Sequence, residues 1–212
     1  MAKQPSESQA IKAVNWLPDH AINGVRPLTS AEDLAQEYLI DTSYCDHEDR
    51  VDALINWETS KNFTSGFITG LGGVITLPVM IPAAFGASWL IQARMAGAIA
   101  RIYGHNLTSD RVRTFVLVSL LGDSAKEVLR QAGIRVATKL TQNVLKRIPG
   151  KALIEINKRV GFRLLTKAGE KGVVNFAKGV PLIGGFVGGT FDALACRTVG
   201  RTAFNLFKRD MK

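Results

Sequence analysis

The sequence predicts an all-α protein, a compact multi-helix domain, on three observations. Apolar residues recur every three or four positions along most of the chain, and no segment alternates as a strand does. Hydroxyl and carboxylate caps followed by acidic first turns stand ahead of these runs, at Thr29-Ser30-Ala31-Glu32-Asp33 and at Asp46. From Asn62 to Ala93 the chain then runs 32 residues without a charge, rich in glycine, proline and alanine.

Residues 1–28 are expected to be a loosely ordered lead, because Pro5, Pro18 and Pro27 break any long helix. The helical domain occupies residues 29–212. Its first helix runs to about Ile40. A second runs from near Asp46 to about Lys61, with Val51, Leu54 and Ile55 on one face and Glu58 and Thr59 one turn on.

The uncharged stretch divides at Pro78 and Pro82 into two arms of a glycine- and proline-rich hairpin. Phe63–Leu77 carries a Gly66/Gly70 pair, and a longer helix opens at Pro82 and ends near Tyr103, with Gly104 as its C-cap. Ala93 with Gly97, and Ala96 with Ala100, let a neighbouring helix approach closely. A further helix spans Arg111–Leu121. Asp123–Lys146 reads as one amphipathic helix, and Lys151–Lys167 repeats its pattern with Leu153, Ile156, Val160 and Leu164 inward. Pro181 opens a second glycine-dense hairpin, Gly179–Phe191, before a last helix to about Arg209. A weak echo at an offset of 103 residues sets Pro78, Gly86, Arg94, Gly97 and Ala100 on Pro181, Gly189, Arg197, Gly200 and Ala203.

Charge is distributed unevenly. Residues 1–60 hold eleven acids and four bases, whereas residues 126–178 hold thirteen bases and three acids, an excess equal to +10 against +9 for the whole chain. This pattern predicts either an internal match, in which the acids of 32–58 face the basic half, or a basic surface for an anionic partner. The N-terminal residues lack the apolar run of a secretory signal, so a cytoplasmic setting with reduced Cys45 and Cys196 is expected.

The runs Gly66–Pro78, Ile91–Met95, Ala98–Gly104, Ile156–Lys167 and Pro181–Gly185 with Phe191-Asp192 resemble the bacterial EcsC family, over roughly Val51–Phe207. The family is named for a gene beside an ABC-exporter pair. The resemblance implies membrane association, and it implies no reaction and no catalytic motif.

The residues themselves offer few chemical sites. Cys45-Asp46-His47-Glu48-Asp49 holds metal-ligand types but lacks a second cluster, and an acidic helix start explains it. No nucleophile elbow is present, and neither GLGG nor GGFVGG continues into the Lys-Ser/Thr of a phosphate loop. No catalytic residue, cofactor or metal is therefore assigned. Gln92, Arg94, Asp192 and Arg197 lie inside apolar helices, where charge must be paired. They are the candidate polar pocket, with Asp192 bound to Arg94 or Arg197, either as a structural network or as a holder of a headgroup or small anion.

Lys126, Arg130, Lys139, Lys158, Arg159 and Arg163 form the candidate face for anionic lipid. Nucleic acid is disfavoured, because the only aromatic residues of that window are Phe162 and Phe176. The expected role is accessory: binding anionic lipid, or regulating a transporter or other membrane protein, at the cytoplasmic face of the inner membrane. Attachment would be peripheral or through a re-entrant hairpin. The competing class is a soluble protein-interaction module whose glycine hairpins are its own core. An enzyme acting on lipid through the Asp/Arg pocket ranks third.

Overall fold

The computed structural model describes residues 7–63, 83–134, 142–177 and 184–208. These residues form α1 (Glu7–Asn23), α2 (Ala31–Ile40), α3 (His47–Phe63), α4 (Ala83–Ile102), α5 (Asp110–Ser119), a 3-10 turn (Gly122–Ser124), α6 (Ala125–Gln131), α7 (Gln142–Arg147), α8 (Gly150–Ala177) and α9 (Gly184–Phe207). No strand occurs among the described residues; Val25 and Leu28 make an isolated antiparallel bridge.

The bundle is built around α4. Helices α1, α2, α3, α5 and α9 all pack on it, and every residue from Gly86 to Ala100 is buried. A helix that is apolar on all sides must lie inside a protein or a membrane. Here the end of the uncharged stretch lies inside the protein. Among the described residues no helix is long and apolar enough to cross a membrane. Positions 64–82, which hold the expected Gly66/Gly70 arm and the hairpin turn, lie outside the described residues.

Helices α2 and α3 start as their caps dictate. The Ser30 hydroxyl accepts from the Asp33 amide at 3.0 Å, and the Asp33 carboxylate accepts from the Ser30 amide in return. The Asp46 carboxylate accepts from the amides of Glu48 and Asp49. Gly104, at φ +69°, closes α4.

Three expectations change. Residues 7–23, placed in the loose lead, form a helix that runs through Pro18. A proline inside a helix costs about 3 kcal/mol, and α1 offsets this by burying Val14, Leu17, Ala21 and Ile22 against α4 and α8, at roughly 1.5–3 kcal/mol for each larger side chain. The single helix expected over Asp123–Lys146 is interrupted. At Gly133, φ +76°, the chain turns into a conformation that side chains resist, and the Gly133 and Ile134 amides return to the carbonyls of Arg130 and Leu129. Finally, Gly184–Phe191, expected in a turn, is the first part of the continuous helix α9; positions 178–183 lie outside the described residues.

Gly97 and Gly200, equivalent glycines of the internal echo, make close helix contacts to different partners. A Cβ on Gly97 would stand 2.9 Å from Ala31 Cβ of α2, and one on Gly200 would stand 2.8 Å from Ile55 Cγ1 of α3. Ala93 and Ala100, and likewise Cys196 and Ala203, are fully buried beside them. Gly97→Ala is expected to cost about 1–3 kcal/mol despite alanine's better helix propensity. Denaturant unfolding should show a lowered midpoint, and adding Ala31→Gly should restore part of it; additive losses would show that the Gly97–Ala31 approach is not the constraint.

Candidate functional site

Gln92 and Arg94, the two candidate pocket residues on α4, are both buried. Gln92 Nε2 donates to Ser88 Oγ, one turn back, at 3.0 Å. Arg94 Nη2 reaches both carboxylate oxygens of Glu58, at 3.0 and 3.1 Å, while Nη1 donates to Thr29 Oγ1 at 3.1 Å. The two side chains are 5% and 0% exposed. Arg94 Nε is buried without a partner. The guanidinium therefore ties α4 to α3 and to the segment entering α2.

Close by, burial, and after it the neighbouring Tyr44 and Glu58, hold the Tyr38 phenol above its ordinary value. The Tyr38 ring stacks on Tyr44.

The expected pairing of Asp192 with Arg94 or Arg197 falls on a side chain outside the described residues, and the carboxylate seen on Arg94 is a different one. The partner of Arg94 is Glu58, a residue read from the sequence only as part of a helix. Arg197 is exposed, so it shares no pocket with Arg94; the Asp192 side chain lies outside the described residues. Glu58 was recognisable, because Val51, Leu54, Ile55 and Glu58 form one helical face. A carboxylate on an otherwise apolar stripe requires a buried partner.

At the start of α3, His47 faces the protein rather than a cation. Its Nδ1 and the Tyr103 hydroxyl are both buried without partners, with the rings edge-on at 6.1 Å between centroids. Burial, followed by the charges of Glu48, Asp46 and Asp52, holds the Tyr103 phenol above its ordinary value. Among the described residues no cluster of His, Cys, Asp and Glu could hold a metal ion. Cys45 is exposed and Cys196 buried, and neither is in a disulfide.

The acids of the first half meet bases outside the 126–178 window. Asp19 pairs with Arg113, Glu32 with Arg101, Glu48 with Lys208, Asp52 with Arg201 and Glu58 with Arg94. The expected internal match is thus seen in part: Asp52 and Glu48 meet the rear-half bases Arg201 and Lys208, while no ion pair among the described residues joins residues 32–58 to the 126–178 window.

The basic window is instead assembled on α6 and α8, which pack together. Arg159 Nη1 donates to Gln131 Oε1 at 2.8 Å, joining the two helices. Arg130 pairs with Glu127 and Arg159 with Glu155. Hydrogen bonds from Gln131 and then Arg130 hold the Glu127 carboxyl below its ordinary range, with Arg163 adding to the effect. Lys126, Arg130 and Lys158 are exposed, Arg159 and Arg163 are partly so, and Lys139 lies outside the described residues.

Sequence reasoning missed the apolar members of this face. Ile154 is 70% and Phe162 42% exposed, and with Lys151 and Lys158 they make one outward strip of α8. The spacing of three and four residues was the available signal, since these are the positions left outside the inward Leu153, Ile156, Val160 and Leu164.

Compared with known proteins, residues 7–210 match the model of the EcsC protein family. No curated protein and no solved structure matches the chain.

The buried pair yields a stability prediction. Arg94→Met is expected to cost about 3–5 kcal/mol, because it strands the Glu58 carboxylate. The double variant Arg94→Met/Glu58→Leu should be more stable than Arg94→Met alone in the same unfolding assay. A double variant no more stable than the single one would show that the pair does not act as a unit.

Proposed function

We propose that this chain, which belongs to the EcsC family, is an accessory protein held peripherally at the cytoplasmic face of the inner membrane through the basic face of α6 and α8. One observation carries the reading: the outward strip of α8 alternates bases with large apolar side chains, Lys151, Ile154, Lys158 and Phe162, and none of these four positions is acidic. Interfacial helices have this composition, because apolar side chains enter the boundary between headgroups and acyl chains while the flanking bases meet lipid phosphates.

The electrostatics support the same reading. Each base near an anionic leaflet contributes about 1 kcal/mol. Lys126, Arg130, Lys151, Lys158 and Arg163 belong to α6 and α8, where Glu127 pairs with Arg130 and Glu155 with Arg159. Lys146 and Arg147, at the end of α7, are exposed just ahead of the strip. Five acids of the first half, Asp19, Glu32, Glu48, Asp52 and Glu58, pair with bases outside these helices. The burial of Ala87–Ala93 in the core favours surface attachment over insertion of that part of the uncharged stretch.

Flotation with vesicles tests the proposal. The protein is expected to float with vesicles containing phosphatidylglycerol and not with phosphatidylcholine alone, and to be released as salt shortens the Debye length from about 10 Å to about 3 Å. Lys158→Glu/Arg163→Glu should abolish flotation, and Ile154→Ser/Phe162→Ser should weaken it at least about tenfold. Equal binding to both lipids, or binding indifferent to these four substitutions, would overturn the proposal.

A further inference from the structure

A cleft of about 580 Å³ lies between α1, α5 and α8, within the range of small-molecule sites. Its walls carry Val14 from α1 and Leu153 from α8, and its polar lining includes two carboxylates, Asp19 and Asp110. Asp19 is bound to Arg113 at 2.6 Å, so the one cation lining the cleft is already engaged. Asp110 lines the same cleft and has no ion-pair partner among the described residues. Asn157 Oδ1 is buried there without a hydrogen bond. A buried acceptor left unmade costs about 1–3 kcal/mol, so a site that keeps one is poised for a donor.

Two carboxylates, one guanidinium and an unmatched carbonyl call for a cation that carries N–H groups. A metal ion is disfavoured by the guanidinium already seated on Asp19. A quaternary ammonium has no N–H to offer Asn157, and among the described residues no aromatic ring lines the cleft to hold it by its π-face. We propose that the cleft binds a small molecule through a primary ammonium group, which donates to the Asp110 carboxylate and to Asn157 Oδ1.

The ammonium can be carried by a soluble amine or by the ethanolamine headgroup of a lipid. Ile154 lines the cleft and is also a member of the exposed α8 strip, so the cleft opens beside the face proposed for the membrane. Only the headgroup source rests on that reading.

The full-length protein is titrated calorimetrically with glycerophosphoethanolamine and with glycerophosphocholine. Flotation is run in parallel on phosphatidylglycerol vesicles containing either phosphatidylethanolamine or phosphatidylcholine. The ethanolamine compound is expected to bind at least about tenfold more tightly than the choline one. Asp110→Asn and Asn157→Leu should each remove at least about tenfold of that affinity while leaving flotation on phosphatidylglycerol/phosphatidylcholine vesicles intact. Tighter flotation with phosphatidylethanolamine assigns the site to a headgroup; binding of the soluble compound without that effect assigns it to a free amine.

Equal response to ethanolamine and choline in both formats overturns the inference, as does undiminished binding in both folded variants. Amine binding without any vesicle flotation would overturn the membrane proposal and leave this one standing. Flotation without amine discrimination would do the reverse.

Discussion

The guanidinium of Arg94 is withdrawn from water together with the carboxylate of Glu58, and three parts of the chain are positioned by how that charge is satisfied. Its two terminal nitrogens point to different elements, one to α3 and one to Thr29 just ahead of the cap of α2. An unpaired charge at this depth would cost several kcal/mol, so arrangements that separate these elements are strongly penalised. The hydrophobic effect draws the helices together without prescribing their register. The ion pair supplies that register, and the small side chains around it let α2 and α4 come close enough for the pair to form.

Much of the fold was legible in the sequence where a local interaction decides the outcome. The capping box at Ser30 and Asp33, the Asp46 cap, the Gly104 stop and the inward stripe of α8 all depend on residues within a few positions of one another. The departures have a common cause in contacts that are distant in sequence. Pro18 is tolerated because α1 finds a trough formed by α4 and α8, which no local pattern announces. Gly133 is the opposite case: its signal was local, and the regular apolar spacing on either side concealed it. At the candidate sites, the need of Arg94 for a partner was legible, but the choice of Glu58 over Asp192 required knowing that α3 crosses α4.

The same folding separates the two halves of the charge distribution. Four front acids are used on Arg101 of α4, Arg113 of α5, Arg201 of α9 and Lys208 just beyond it, which hold the bundle together from outside. Exposed pairs of this kind are worth little individually. Their consequence here is subtractive, since they leave the bases of α6 and α8 to face outward with only short-range acids beside them. The break at Gly133 ends α6, which packs on α8, so bases of two helices lie side by side.

The position of α4 sets how the molecule can come apart. Five helices drawn from both ends of the chain rest on it, and its backbone meets water only when they leave. Peeling α1 from the front or α9 from the rear uncovers an apolar surface of α4. Partial opening is therefore penalised from either terminus, and the described helices behave as one cooperative unit in which the amide protons of α4 exchange last, by global unfolding. The family match from residue 7 to residue 210 has the same extent as this unit. Neither end is an appendage that could be trimmed without exposing the centre.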